Sequence, residues 1–173
     1  MRTFSALLSL SLALWAQPAA AQMTGPVTSP ATTSGRSTVY SPRGTAATSH
    51  PLATGAALKV LEAGGNAIDA AVAAAAVLNV VEPHMTGAGG DMFAILWSAS
   101  EGRLIGLDAS GKSGSKTDRA ALVAAGQERV PGSGAASVTV PGALSGWNAL
   151  IENYGTISLA DALGSAIRIA EEG

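Results

Sequence analysis

The residues whose chemistry first invites a site are His50, His84, Asp69 and Glu82, with a glycine run at Gly87-Ala88-Gly89-Gly90-Asp91-Met92. Histidine serves as a base or a metal ligand, and two close carboxylates can divide acid and base work. None of these completes a set. Each histidine adjoins a proline, His50-Pro51 and Pro83-His84, at a predicted helix boundary, where capping or packing is its usual task. Neither has a nearby Ser-Asp arrangement that spells a triad, and two histidines are too few for a His-rich metal cluster. Asp69 and Glu82 fall at opposite ends of one predicted helix, too far apart to work as a pair. With no cysteine, a disulfide framework, a zinc-thiolate site and a thiol nucleophile are all excluded. The glycine run fails as a dinucleotide loop. Its third glycine position is Met92, and it follows a helix and precedes a strand, the reverse of the required order. It reads instead as a tight turn in which glycine supplies positive φ.

The elements that must position these groups are mixed. Val39 and Tyr40 open a short strand. Ser49, His50 and Pro51 start a helix bearing Leu52, Leu58 and Leu61 at helical spacing, ended by Gly64-Gly65. Asn66 caps the next helix, with Asp69 near its positive end. That helix, 67–81, is apolar nearly all round and too short to span a bilayer, so it is a core helix stopped by Pro83. Apolar runs at 92–97 and 104–107 are strands joined by a hairpin loop, and a polar loop follows at 110–116. Asp118 caps a helix through Ala125, and 138–140 is a third short strand ended by Pro141-Gly142. Leu144, Trp147, Leu150 and Ile151 form one helix face. Ser158 and Asp161 start a last helix lined by Leu159, Leu163, Ala166, Ile167 and Ala170. Three strands make a partial sheet with edges to cover, and the chain reads as an incomplete α+β domain.

Composition sets outer bounds. The chain has 173 residues, 47% hydrophobic and 13% charged, with a net charge of -2. It is no disordered polyelectrolyte and carries no footprint for nucleic acid. The start reads as an address: Met1-Arg2, a leucine-rich run from Phe4 to Trp15, Pro18, then Ala19-Ala20-Ala21. This is the pattern of a secretory signal peptide over 1–21, too short for a stable membrane span. Residues 22–38, rich in Ser, Thr and Pro, form a flexible leader. The product is expected in the periplasm or outside the cell.

Ser49-His50-Pro51-Leu52-Ala53, Gly64-Gly65-Asn66-Ala67-Ile68-Asp69, Val81-Glu82-Pro83-His84 and Gly87-Ala88-Gly89-Gly90 occur in that order, followed by Val140-Pro141-Gly142, Gly146 and Tyr154-Gly155-Thr156. Together they resemble the gamma-glutamyltransferase (gamma-glutamyltranspeptidase) family over about 39–173. The resemblance implies the N-terminal nucleophile hydrolase fold, αββα in four layers, with only its N-terminal portion present. It implies an exported zymogen that cuts itself into a large and a small chain. The new N-terminal threonine of the small chain is the nucleophile, and its own amine is the base. No position here matches that threonine, so the catalytic residue lies beyond this chain and residues 22–173 alone are expected to be inactive. The implied partners are that small chain and a small-molecule amide or γ-glutamyl substrate of the glutathione type. No metal or organic cofactor is implied.

One departure bears on substrate. Family transferases carry an Asp-Phe-Arg-Glu-type segment after the second strand, whose arginine grips the substrate α-carboxylate. Here the segment reads Leu107-Asp108-Ala109-Ser110-Gly111-Lys112, with Ser110 in the arginine's place. Serine cannot make the bidentate, charge-assisted grip, and Lys112 offers only a point charge. Ser110 and Lys112 are thus the candidate substrate-binding residues. Relatives with a Ser-Gly segment look like amide hydrolases or acylases of other specificity. The expected function is γ-glutamyl hydrolysis and transfer by the complete precursor. The alternatives are an amidohydrolase or acylase acting on a non-glutamyl amide, or a non-catalytic secreted module.

Overall fold

In the computed structural model, residues 38–173 are described. The expected signal peptide and all but the last residue of the expected leader lie outside them. Two helices open the fold. Helix α1, Pro51–Glu62, starts where His50 accepts the Leu52 amide on its imidazole Nδ1 at 3.2 Å and Pro51 presets the first turn. It ends at Gly64, whose φ of 94° needs glycine. Helix α2, Ala67–Val81, begins with a capping box. Asn66 Oδ1 accepts the Ile68 and Asp69 amides, and Asp69 Oδ2 accepts the Asn66 amide.

The α1–α2 contact is made by alanine rather than leucine. Ala53, Ala56 and Ala57 are buried, while Leu52 and Leu58 are 51% and 36% exposed. The leucine spacing therefore marked the wrong stripe. Small side chains let the two backbones approach closely, and the leucines, with Leu61 only partly covered, take the outer flank. Helix α2 is the core helix expected, with Val72, Ala73 and Val77 almost fully buried.

Strands β1, Met92–Ser98, and β2, Arg103–Ala109, pair antiparallel, with Met92 opposite Ala109 and Ser98 opposite Arg103. Met92, Ala94, Leu96 and Leu107 face the helices. The other face shows Phe93 (70% exposed), Ile95 (82%), Trp97 (62%) and Leu104 (66%). A strand pair apolar on both faces is built to be covered on both.

Short helix α3, Arg119–Ala124, is capped by Asp118 and buries nothing. Two longer helices complete the layer: α4, Ala143–Tyr154, and α5, Leu159–Glu172. Buried Ala143, Gly146, Trp147, Leu150 and Ile151 form the inner face of α4, and Leu144 is 47% exposed, contrary to expectation. In α5 the Ser158–Asp161 capping box is present. Its inner face is Leu159, Ala162, Leu163, Ala166 and Ile169, while Ile167 turns outward. Leu159, Leu163 and Ala166 lie on it as expected, whereas Ala170, like Ile167, is exposed.

Two expected strands are absent among the described residues. Val39 and Tyr40 are unpaired and exposed. The backbone of residues 138–140 pairs at only one bridge, Ser113 to Thr139, with the Val140 amide donating to the Lys112 carbonyl at 2.8 Å. Pro141-Gly142 turns the chain into α4 before a ladder can extend.

Candidate functional site

The polar loop after β2 is shaped by two local devices. The Ser110 amide donates to Asp108 Oδ1 at 2.9 Å, folding the loop back on itself. Gly111 then sits at φ 73°, and a Cβ there would run into the Val140 carbonyl oxygen. The Ser110 hydroxyl first, and its amide second, hold the Asp108 carboxyl below the ordinary 3.8.

Across from this loop stands the N-terminus of α4. The Gly142 and Ala143 amides both donate to the Gly90 carbonyl, at 3.1 and 2.9 Å. At Gly142 a Cβ would strike the Ala109 carbonyl oxygen. At Gly146 it would lie 2.7 Å from Ala109 Cβ and 3.0 Å from Met92 Sδ. These glycines let α4 lie directly on the end of β2. The Gly87–Gly90 run also finds its role here, as the tight turn expected but without the positive φ. None of its glycines has positive φ. The run turns tightly, Gly90 amide to Gly87 carbonyl at 3.0 Å, and presents the Gly90 carbonyl to α4.

Between loop and helix lies a cavity of about 530 Å³, open to solvent. Ser110 and Lys112 both line it, with Asp108, Pro141, Ser145 and Ala149. The lining mixes apolar and polar residues, and its charged groups are one anion, Asp108, and one cation, Lys112. Ser145 escaped sequence reasoning. Its hydroxyl donates to the Gly142 carbonyl at 2.7 Å, and only its place three residues after Pro141-Gly142 hints at it.

The residues first considered for chemistry are scattered. His50 is a helix cap, His84 is exposed, and Glu82 accepts the Ser49 hydroxyl at 2.7 Å. Asp69 has no exposed surface and is a staple. Its carboxylate accepts the Thr156 hydroxyl at 2.6 Å and the Thr156 amide at 2.9 Å, besides the Asn66 amide. Burial pushes this carboxyl up. The bonds from the Thr156 hydroxyl and from the Asn66, Thr156 and Ile157 amides outweigh burial and hold the group below 3.8. Among the described residues, no cluster of three or more His, Asp or Glu is placed to hold a metal, and no helix is long and apolar enough to cross a membrane.

Residues 53–173 match the family Gamma-glutamyltranspeptidase. The chain is 42% identical over 125 residues to the glutathione hydrolase-like YwrD proenzyme of Bacillus subtilis, covering 72% of this chain and 23% of that protein. It is 42% identical over 139 residues to the oxamate amidohydrolase proenzyme of Klebsiella pneumoniae, covering 77% and 26%. Among solved structures, the cephalosporin acylase of Bacillus halodurans superposes with a TM-score of 0.73 at 45% identity, over 87% of this chain and 28% of that one. The chain thus spans about a quarter of the length of the curated relatives it matches. The fold is the α+β N-terminal portion of the N-terminal nucleophile hydrolase architecture.

Proposed function

The chain belongs to the gamma-glutamyltranspeptidase family, and from that premise we propose that it is the N-terminal part of an exported proenzyme that hydrolyses a non-glutamyl acyl amide. The observation that carries this reading is the cavity lining. Ser110 belongs to it and no arginine does. A free amino-acid carboxylate entering there finds no planar fork to pair with. A neutral carbonyl, or a small acid steadied by Lys112 alone, suits the lining better. Relatives named for oxamate and for cephalosporin acylation support an acyl amide as the substrate class.

In this reading the nucleophile is the N-terminal threonine of a small chain from the same precursor. Its hydroxyl attacks the amide carbon while its own amine takes the proton. The amine leaving group departs protonated, and water releases the acid from the ester. The large chain's task is to orient the acyl end in the cavity. The outward apolar face of β1 and β2 is the surface that meets the second sheet of the four-layer fold. Lys112 favours a second reading. Turned inward, it would supply a charge for a γ-glutamyl carboxylate, and a glutathione hydrolase-like relative stands beside the acylases.

The test is expression of the complete reading frame. Self-cleavage into two chains and turnover of simple acyl amides are expected. An uncleaved product without turnover would return the protein to a non-catalytic module. On the export reading the mature chain begins at Gln22 or within a few residues of it, which N-terminal sequencing checks; Met1 on the mature product would contradict it.

A further inference from the structure

The segment 139–142, which supplies part of the cavity lining, carries one side-chain contact that the backbone pattern does not require. Thr139 Oγ1 donates to Asp91 Oδ1 at 2.7 Å, joining residues 48 apart in the chain. Asp91 directly precedes β1 and follows Gly90, whose carbonyl anchors the Gly142 and Ala143 amides. Thr139 makes the bridge to Ser113, and Val140 donates to the Lys112 carbonyl. The segment 139–142 is therefore suspended between the 90–91 corner and the Ser110–Lys112 loop. It is too short to be held by a ladder. Val140, Pro141 and Gly142 of this segment line the cavity, whereas Asp91 does not.

We propose that Asp91 and Thr139 form a latch that sets the width of the substrate cavity, acting as positioning residues that fix the 139–142 wall against the Ser110–Lys112 loop. The inference rests on the proposed function of that cavity. A carboxylate-accepted hydroxyl is a strong, directional bond. Without it the wall retains the Gly90 anchors behind and the single Lys112 bond in front, and both allow it to rock. A rocking wall loosens binding of the acyl end while leaving the distant nucleophile and its base untouched. The cost then falls on KM, not on kcat.

The experiment uses the full-length proenzyme, with Thr139→Val and Asp91→Ala removing the bond, and Thr139→Ser and Asp91→Asn keeping a donor and an acceptor. KM and kcat for the best acyl amide, Tm, and hydrogen exchange of the Val140 amide are measured on each. Thr139→Val and Asp91→Ala should each raise KM by roughly tenfold, about the weight of one hydrogen bond to a charged group, with kcat within about twofold. The double variant should be no worse than either single one. Thr139→Ser should stay near the parent, and Asp91→Asn, which keeps an acceptor but not the charge, should fall between the parent and Asp91→Ala. Unchanged KM in an active, folded Thr139→Val enzyme would overturn the latch, as would an equal loss in Thr139→Ser. If Thr139→Val fails to fold, the Asp91→Ala and Asp91→Asn pair decides by the same contrast. If the parent turns over no amide, the functional reading fails. The latch is then judged by exchange alone: faster Val140 exchange in Thr139→Val but not Thr139→Ser upholds it, and equal exchange in both overturns it.

Discussion

The Asp69 carboxylate and the Thr156 hydroxyl, 87 residues apart, meet at 2.6 Å with the carboxylate wholly shielded from solvent. This bond ties the start of α2 to the turn between α4 and α5. Gly155 makes the approach possible, since a Cβ there would lie 2.8 Å from Asp69 Oδ1.

Asp69→Asn, which replaces Oδ2 and so removes the acceptor of the Asn66 amide and the Thr156 hydroxyl, should destabilise the full-length protein at pH 7 by on the order of 3 kcal/mol, two charge-assisted hydrogen bonds at roughly 1.5 kcal/mol each. Because the folded carboxyl is held below its ordinary value, its stabilisation is complete above the unfolded pKa of about 3.9. It is lost as pH falls through the lower folded value. Tm of parent and variant compared at pH 7 and pH 3 should show the deficit shrink in acid. A deficit equal at both pH values would show that Asp69 acts through shape rather than charge.

Gly146→Ala places a methyl 2.7 Å from Ala109 Cβ, and α4 must lift from β2 to admit it. Overpacking of this kind costs about 1–3 kcal/mol. Tm should fall and KM rise together, and adding Ala109→Gly should recover part of both. A Gly146→Ala enzyme with parental Tm and KM would mean that α4 does not bound the cavity as described.

The exposed pair Ile95 and Trp97 predicts a change of sign with context. In the complete precursor, burying Ile95 against a second sheet is worth about 1.5–3 kcal/mol. Ile95→Asp should therefore lower the yield of soluble, cleaved protein. In the 173-residue chain alone the same change should reduce self-association and dye binding, since it breaks an uncovered apolar patch. A complete precursor that tolerates Ile95→Asp with unchanged Tm would place the second sheet elsewhere.

Much of the fold was legible where local chemistry decides it. The Asn66, Asp118 and Ser158 caps, the Gly64 stop and the 92–109 hairpin are written in adjacent residues. The buried stripe of α1 was not, because hydrophobic size points to Leu52 and Leu58 while the packing distance to α2 selects alanine. Residues 138–140 look like a strand by β-branching, but tertiary position gives them one bridge and no ladder. At the site, Ser110 and Lys112 were proposed from the family pattern of the loop, and both line one cavity. Ser145, marked only by its place after Pro141-Gly142, was not, and neither was the Asp91–Thr139 bond, since nothing in a linear sequence announces a contact made 48 residues apart.

The substrate claim turns on Ser110 and is tested most directly by kcat/KM for a γ-glutamyl anilide beside a panel of simple acyl amides, for the complete proenzyme and its Ser110→Arg variant. The parent should favour an acyl amide. Ser110→Arg should raise kcat/KM for the γ-glutamyl donor by roughly ten- to a hundredfold, the equivalent of one charge-assisted bond of about 1.5–3 kcal/mol. A parent that already prefers the γ-glutamyl donor, with no gain from Ser110→Arg, would show that the carboxylate is held elsewhere and would contradict the assignment.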